Sequence, residues 1–424
     1  MGRIAGRFGR VEPRRRAEQL LVGLLSDLPV KNCWTIAEQV GDATPDGLQH
    51  LLRKAVWDTD GVRDDLRGYV VEHLGGSDDR DDGDVVLVVD ETGDLKKGIH
   101  TVGVQRQYTG TASRIENAQV AVYLTYASAK GHALIDRALY LPKSWTDDAE
   151  RRGQAGVPGE VEFATKPALA REMITRALDN GAPAHWVAGD EVYGADPGLR
   201  EKLEERGVGY VLAVACSHQV TTAAGKLRAD AIATALPKRA WQCVSAGHGS
   251  KGPRLYDWAR VDIDTEQPEQ PEQPNQQWLL LRRNNGTGEL AYYRCYAPEP
   301  VPLRGLVHVA GRRWTVEESF QASKGLAGLD QHQVRHWISW HRWTLLAMLA
   351  HAFLAALAAT ERADNPAPDG LIALTCNEIH HLFNALIVQP IRDLRHRLRW
   401  STWRRRHQHR AKTSHHQRRA AAEP

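Results

Sequence analysis

Two short apolar runs of this 424-residue sequence each end on an aspartate. Residues 85–90 read Val-Val-Leu-Val-Val-Asp, and residues 185–190 read His-Trp-Val-Ala-Gly-Asp. Runs of this length suit strands buried in the middle of an α/β sheet, where ligands bind beyond the strand ends. Asp90 and Asp190 are therefore candidate functional residues. Each is equally consistent with an ordinary charged strand end, because the chain holds 52 Asp and Glu residues.

A third acid lies in a segment with helical periodicity. Arg313, Glu317 and Lys324 are spaced i, i+4 and i+11, which places them on one stripe of a helix. An exposed salt-bridge ladder has the same pattern and contributes about 0.2–0.5 kcal/mol per pair. An acid flanked by cations that bind phosphate is also typical of metal-dependent DNA cleavage sites. The pattern alone leaves both interpretations open.

Composition indicates an intracellular globular protein. With 42% hydrophobic and 25% charged residues, the chain has room for two or three domains. The first twenty residues lack the apolar centre of a secretory signal, and the apolar helix at 344–359 is shorter than a membrane span. Five scattered cysteines argue for a reducing compartment and against a disulfide framework or a structural zinc site. A cytoplasmic location with no membrane association is predicted.

The positive charge is concentrated at the C-terminal end. The chain carries a formal net charge of +3, whereas residues 392–419 contain eleven Lys or Arg and one Asp, a local charge of +10. Trp400 and Trp403 lie within this segment. The composition predicts an arm that binds a polyanion, with nucleic acid as the first choice, or a solvated, disordered end.

The N-terminal region has the outline of a helix-turn-helix. Residues 35–41 and 45–57 read as two helices joined by a tight turn, with Gly41 and Pro45 at the turn. The second helix carries Arg53, a residue type that contacts base edges or phosphates. A small helical bundle without DNA-binding function has the same kind of turn.

The predicted fold class is α/β, with a mixed-sheet core, a β-rich insertion and helical regions at both ends. Within the core, residues 119–125 and 132–141 are predicted to form a hairpin beside the first strand. Residues 91–98 are predicted to be a polar loop in which Lys96 and Lys97 either contact DNA phosphate or are simply solvated. The predicted divisions are 1–75 helical, 76–84 linker, 85–215 first part of the core, 216–305 β-rich insertion, 306–388 helical completion of the core and 389–424 basic tail.

These residues together resemble a known family. Asp90, Asp190 and Glu317, in this order, are similar to the acids of DDE transposases with an RNase H-like core. Arg313, Glu317 and Lys324 match the Tyr-x-x-Arg-x-x-x-Glu-x-x-x-x-x-x-Lys signature of insertion-sequence transposases, although Ala310 stands at the Tyr position.

Other segments carry the same resemblance, which covers about residues 17–386. Trp314 follows the signature arginine, as in members that form DNA hairpins. Residues 141–145, 189–194 and 328–335 also look like this group.

The resemblance implies an RNase H-like core and metal-dependent chemistry on DNA. Asp90, Asp190 and Glu317 are the implied catalytic residues and metal ligands. Two carboxylates about 4 Å apart repel by about 4 kcal/mol at an effective dielectric constant near 20, so their approach calls for cations. Oxygen ligands and phosphate substrates favour Mg²⁺, with Mn²⁺ as a substitute, and the resemblance implies two ions at the site.

The same resemblance implies the DNA contacts and the partners. Arg313 and Lys324 are expected to hold phosphates at the cleaved end, and Trp314 to stack on a displaced base. The expected partners are the terminal inverted repeats of an element, target DNA and a second copy of the chain in a synaptic homodimer, in a bacterial, nucleoid-associated setting. The neighbouring acids Glu91, Asp94, Glu191 and Glu318 compete for the ligand assignments.

Two other functions remain open at this stage. One is a catalytically inactive DNA-binding protein derived from a transposase. The other is a metal-dependent nuclease that performs no strand transfer.

Overall fold

The run at 85–90 forms the centre of a large mixed sheet. The structure is a computed structural model and describes residues 1–76, 85–249, 252–263, 276–388 and 393–420, apart from the side chains at 415, 419 and 420. The strands are β1 (Val86–Leu95), β2 (Gln105–Thr109), β3 (Arg114–Ala127), β4 (His132–Leu139), β5 (Trp186–Gly189), β6 (Gly209–Val214), β7 (Gln219–Thr222), β8 (Gly225–Arg228), β9 (Gln242–Gly249), β10 (Gly252–Asp262), β11 (Gln277–Arg283) and β12 (Leu290–Tyr296).

Helices surround this sheet and form the two ends of the chain. They are α1 (Val11–Leu25), α2 (Cys33–Gln39), α3 (Asp46–Arg53), α4 (Thr59–Leu74), α5 (Lys143–Thr146), α6 (Ala149–Ala155), α7 (Lys166–Asp179), α8 (Glu191–Gly194), α9 (Pro197–Glu205), α10 (Ala229–Ala235), α11 (Leu303–Arg312), α12 (Thr315–Ala327), α13 (Trp337–Asp364), α14 (Cys376–Leu386) and α15 (Leu394–Ala420). Short 3₁₀ turns add Gly2–Arg7 and Lys238–Ala240.

The sheet confirms the predicted fold class. Its strand order is β2-β3-β1-β5-β6-β12-β11-β10-β9, and β4 pairs with β3. Strand β1 runs antiparallel to β3 and parallel to β5, and β5 runs parallel to β6. Three antiparallel strands followed by two parallel ones, in the order β4-β3-β1-β5-β6, form an RNase H-like core.

Most core elements lie where the sequence predicts them. Residues Val85 to Val89 are fully buried, as expected for a strand covered on both faces. The β3–β4 hairpin lies beside β1, and Thr165 caps α7 through a hydrogen bond from the Ala168 amide. The prediction of a loop at 91–98 is wrong for residues 91–95, because the long strand β3 pairs with β1 as far as Leu95 opposite Ala118, and residues 96–98 lie in a loop.

The β-rich segment extends the core sheet. Strand β12 pairs antiparallel with β6, and β11, β10 and β9 follow outward. The predicted hairpin at 284–286 is present, and Asn284 Oδ1 accepts hydrogen bonds from the amides of Gly286 and Thr287. The Glu-Gln-Pro repeat at 266–274 and most of the predicted linker, residues 77–84, lie outside the described residues.

Helix α13 is the core helix that the sequence predicts. Its length and composition would suffice to cross a membrane, but 78% of its most apolar 18-residue window is buried inside the protein. It packs against α1, α3, α4, α12 and strand β4, so it joins the N-terminal helices to the sheet.

The described part of the basic tail, residues 393–420, is largely helical. Residues 394–420 form helix α15, and Trp400 within it is completely buried. The Trp400 indole N–H donates to the carbonyl oxygen of Asp42, at 2.8 Å, in the turn between α2 and α3. The prediction of a solvated end is therefore wrong for the first half of the tail, because the indole ring is buried against the N-terminal helices.

Gly194 provides a test of close packing beside the parallel strands. A Cβ atom at this position would overlap with the carbonyl oxygen of Ala213 in β6. We expect Gly194→Ala to lower stability by about 1–3 kcal/mol through overpacking, measured by thermal and urea unfolding.

Gly153→Ala in α6 is the matched control, because a Cβ atom there meets no other atom within 4 Å. This change is expected to leave stability unchanged or raise it by up to about 1 kcal/mol. Equal effects of the two substitutions would contradict the packing argument.

Candidate active site

The two aspartates lie side by side because their strands are parallel neighbours. The last residue pair of β1 and β5 is Val89 with Gly189, and each aspartate is the next residue. Adjacent strands are about 4.8 Å apart, so the register brings both carboxylates to the same edge of the parallel strands. The sequence-predicted pair of Asp90 and Asp190 is thus brought together.

Both carboxylates have raised pKa values. Burial is the main cause and the charge of Asp190 the second, and together they raise the pKa of Asp90 from 3.8 to about 7. Burial and the charge of Glu91 raise the pKa of Asp190. The Arg313 guanidinium opposes both shifts. The positive charge of Arg313 is therefore too small to offset the effects of burial and of the neighbouring acids on the two carboxylates.

Arg313 connects the first acid to the third. Its Nη2 lies 3.0 Å from Glu317 Oε1, and its Nη1 lies 3.5 Å from Asp90 Oδ2. Arg313 lies in the junction between α11 and α12, two residues before Thr315, and α12 packs across β1 and β3. The prediction that Arg313, Glu317 and Lys324 share one helix is therefore wrong for Arg313, because the helix is interrupted between α11 and α12 at this residue. Within the described ranges, no three His, Cys, Asp or Glu side chains come close enough to hold a metal ion. Glu317 is thus paired with a cation rather than grouped with the two aspartates.

The competing acids have other partners. Glu91 accepts hydrogen bonds from Lys166 Nζ at 2.5 Å and from the Tyr193 hydroxyl at 2.7 Å. Glu318 Oε2 lies 3.3 Å from His132 Nε2, away from Arg313. These contacts favour Asp90 over Glu91 as the residue available to a ligand. They do not separate Glu317 from Glu318, because Glu317 is paired with Arg313 and Glu318 with His132.

Asp94 and Glu191 differ in their exposure. The Asp94 carboxylate is buried and lies 3.1 Å from His332 Nε2. Glu191 is exposed and follows Asp190 directly. Burial alone would raise the pKa of Asp94, but the hydrogen bond from His332 and the charges of Lys96 and Lys324 outweigh it and lower that pKa.

The predicted DNA-contacting cations fall into two groups. Arg313 lies beside Asp90, whereas Lys324 Nζ donates to Thr92 Oγ1 at 2.7 Å, two residues beyond Asp90 on β1, and its charge acts on Asp94. Lys96 is largely buried, with Nζ 3.9 Å from Asp94 Oδ2. Lys97 is exposed beyond β1, and Arg53 is exposed on α3.

A cleft of about 1040 Å³ opens from Asp190 toward the β-rich strands. Arg313 and the half-exposed Trp314 line one wall. The opposite wall carries aromatic and cationic side chains that the sequence analysis missed: Arg254, Tyr256, Trp258, Arg282 and Tyr293. The i, i+2 spacing of Tyr256 and Trp258 on a strand was the available signal that both face one side.

The glutamate triad with Tyr193 and Lys166 was also missed. Tyr193 is buried in α8 and belongs to the segment 189–194 that the resemblance singled out. Its contact with Glu91 spans 102 positions in the sequence, so local patterns carry no information about it.

The sequence is similar to known proteins over about half of its length. A protein family described as DDE superfamily endonuclease matches residues 3–235, which include Asp90 and Asp190. A probable transposase for insertion sequence element IS701 from Microchaete diplosiphon is 31% identical over 204 residues, or 47% of this chain and 49% of the relative. The chain therefore spans about half the length of that relative.

A solved structure is also similar in outline. It is the cryo-EM structure of a piggyBac transposase synaptic complex with hairpin DNA, with a TM-score of 0.42 and 10% sequence identity. The similarity covers 89% of this chain and 71% of that one.

The raised pKa of Asp90 predicts the pH dependence of stability in the metal-free protein. With a pKa of about 7 in the folded state and 3.8 as its ordinary value, the folded state holds this proton more tightly than the unfolded state. Stability is therefore lost as pH rises between about 4 and 7. We expect Asp90→Asn to raise the free energy of unfolding at pH 8 by up to about 4 kcal/mol relative to its effect at pH 4.

Asp94→Asn is the control on the same strand, because the pKa of Asp94 is lowered. This substitution is expected to lower stability at pH 8 and to have less effect as pH falls. Urea unfolding in the presence of EDTA measures both variants. The same sign for both substitutions would contradict the assigned electrostatics.

Proposed function

The chain belongs to the DDE superfamily endonucleases, and from this premise we propose that it is the transposase of an insertion sequence. In this function it cuts DNA at the element ends and joins the freed ends to target DNA. One observation carries the proposal: Asp90 and Asp190 lie at adjacent strand ends, and Arg313 links Asp90 to Glu317. The similarity to a probable insertion-sequence transposase supports it.

The donor set fits a hard divalent cation. Asp90 and Asp190 are partly buried carboxylates with raised pKa values, so a cation beside them is stabilising. We assign Asp90, Asp190 and Glu317 as the residues that hold Mg²⁺, or Mn²⁺ in its place, in a two-ion site. Bound ions of this kind activate the attacking hydroxyl and stabilise the leaving oxygen in displacement at phosphorus.

Arg313 has two roles in this proposal. In the absence of ligands its guanidinium neutralises Asp90 and Glu317. A DNA phosphate offers the same guanidinium a bidentate partner. When the Arg313 guanidinium pairs with a phosphate instead of Glu317, the Glu317 carboxylate becomes available as a metal ligand together with the two aspartates.

The residues around Arg313 bind and orient the DNA end. Lys324 is held over β1 by Thr92, two residues beyond Asp90, and we assign it a contact with a DNA phosphate. Trp314 is 50% exposed in the cleft, where its ring offers a stacking surface for a displaced base. The pairing of two element ends calls for two copies of the chain, so the active complex is a homodimer.

In this proposal, different segments of the chain supply the acids, the wall of the cleft and the basic regions. Residues 85–215 and 306–388 supply the acids, and residues 216–305 supply the second wall of the cleft. Residues 1–75 supply the helix pair that carries Arg53, and residues 389–424 form the basic tail. One alternative keeps the same acids but omits strand transfer. In that case the protein is a metal-dependent nuclease that only cleaves DNA.

A second candidate is a DNA-binding protein without cleavage activity. The observation that favours it is the position of Arg313, which keeps Glu317 paired while no group of three acids is assembled among the described residues. The two functions differ in whether the acids take part in DNA cleavage after DNA has bound.

The cleavage test uses labelled DNA fragments that span each end of the element carrying the gene. We expect Mg²⁺-dependent cleavage at one defined position by the wild type, and a loss of at least about 100-fold for Glu317→Gln, because a neutral amide replaces the third carboxylate ligand. Denaturing gels measure the products.

Glu318→Gln is the matched control, because Glu318 faces His132 rather than Arg313. It is expected to retain cleavage. Metal-independent binding without cleavage by the wild type, in Mg²⁺ or Mn²⁺, would favour the DNA-binding alternative, and loss of cleavage in Glu318→Gln alone would overturn the assignment of Glu317.

Substitution of Arg313 separates metal binding from DNA cleavage. Without DNA, Arg313→Gln removes the cation that competes for Asp90 and Glu317, so Mn²⁺ affinity is expected to rise about tenfold, equivalent to roughly 1.4 kcal/mol. Cleavage is expected to fall about 100-fold, because the phosphate contact is lost. Isothermal titration calorimetry and the cleavage assay measure the two effects.

Arg312→Gln is the neighbouring control, since Arg312 Nη1 donates to the Ser128 carbonyl oxygen at 2.6 Å. It is expected to change Mn²⁺ affinity by less than about twofold. A fall in Mn²⁺ affinity on Arg313→Gln would contradict the proposed competition.

A further inference from the structure

Helix α15 is unusual in having no acidic residues. Residues 394–420 contain ten Lys or Arg and no Asp or Glu. Like charges spaced i, i+4, such as Arg406 and Arg410, destabilise an isolated helix by about 0.2–0.5 kcal/mol per pair. Nothing within the helix offsets this repulsion, so a polyanion bound along it would be stabilising.

One stripe of α15 docks on the N-terminal helices. Trp400 is buried, and His396 Nε2 donates to the carbonyl oxygen of Glu38 at 2.8 Å. Arg404 pairs with the Glu38 carboxylate. Together with the bond from Trp400 to Asp42, these contacts fix α15 to α2 and to the turn before α3.

An aromatic cluster completes the docking. The Trp34 ring of α2 lies 4.8 Å from the Trp403 ring and 4.6 Å from the His407 ring. Trp403 and His407 stack with their ring centroids 5.3 Å apart. The helix is therefore held rigidly as far as His407.

Beyond His407 the described side chains of α15 are exposed all round. The thirteen residues 408–420 extend about 20 Å at 1.5 Å per residue. Their only apolar residues are alanines. The segment thus lacks the apolar face by which an amphipathic helix binds a membrane surface or a protein groove.

A cationic pocket lies at the docked end of this helix. Trp34, which contacts α15, also lines a pocket of about 480 Å³ between α2, α3 and the start of α13. Arg53, Arg335 and His336 line the same pocket, and no Asp or Glu does. The docked end of α15 and this pocket therefore share Trp34 as a wall.

We propose that α15 and the pocket at its base form one track for the sugar-phosphate backbone of duplex DNA, separate from the acid site. This inference rests on the proposed function for its choice of DNA as the polyanion. The exposed cations of α15 contact phosphates without reading sequence, and the docking through Trp400 fixes their position relative to the α2–α3 helix pair. The track holds DNA that flanks the point of cleavage.

The test compares two full-length variants, each lacking four exposed cations. The arm variant carries Arg406→Gln, Arg410→Gln, Lys412→Gln and Arg418→Gln, and Gln preserves helix propensity. The control variant carries Lys226→Gln, Lys238→Gln, Arg239→Gln and Arg304→Gln, all exposed and outside α15. Binding to a random-sequence 30-base-pair duplex is measured by fluorescence anisotropy in EDTA at several salt concentrations.

For the arm variant we expect at least a tenfold loss of affinity and a smaller salt dependence. Each phosphate contact contributes about 0.9 to the slope of log affinity against log salt, so the slope falls by about 2 to 4. The control variant is expected to keep the wild-type slope within about 1. An unchanged near-ultraviolet circular dichroism spectrum of the tryptophan cluster establishes that α15 remains docked.

Two results would overturn the proposal. One is an equal loss of affinity in both variants, which would mean that only net charge matters. The other is competition for the wild type by vesicles of phosphatidylserine and phosphatidylcholine, or by single-stranded RNA, at phosphate concentrations equal to or below those of duplex DNA. Because binding is measured in EDTA, a failure of cleavage leaves this result unaffected, and the two proposals fail separately.

Discussion

The repulsion between two partly buried carboxylates is the constraint on which the rest of the site depends. Parallel pairing of β1 with β5 fixes Asp90 beside Asp190, and burial raises the pKa of both side chains. Such an arrangement is unfavourable unless positive charge is nearby. Arg313 supplies part of that charge, and Glu317 then balances the arginine. The cluster is stable enough to form without ligands and still attracts a cation.

Holding Arg313 over β1 requires the helical half of the protein. Helix α12 packs across β1 and β3, and it is supported from behind by the buried helix α13. Helix α13 also packs on α1, α3 and α4, so the same element orients the N-terminal helices. The position of the third acid relative to the first two is therefore set by the long-range packing of α13 and not by a local loop.

Sequence patterns predicted the elements whose signals are local. The apolar run before Asp90, the cap at Thr165 and the spacing of Glu317 and Lys324 all depend on residues near one another in the chain. The extension of β1 to Leu95 depends instead on pairing with Ala118 in β3. The docking of Trp400 on Asp42 joins positions 358 residues apart. Contacts between residues so far apart produce no periodic pattern in the sequence, so neither contact was predicted.

The features of the candidate site also fall into two groups: those that the sequence predicts and those that depend on contacts between distant segments. Which residues are acids and cations is evident from the sequence, and so is their order along the chain. Their pairing is not, because Arg313 with Asp90 and Glu91 with Tyr193 are contacts between distant segments. Those pairings decide which carboxylates are available to a ligand and which are already held.

The double role assigned to Arg313 makes metal binding and DNA binding interdependent. A guanidinium that pairs with Asp90 and Glu317 competes with a metal ion for the same oxygens. A phosphate that withdraws the guanidinium removes this competition, so DNA raises the affinity for metal. By thermodynamic linkage, metal raises the affinity for DNA by the same factor. Under the proposed function, the acids would be assembled only when both ligands are present, and phosphoryl transfer would be restricted to DNA that already occupies the cleft.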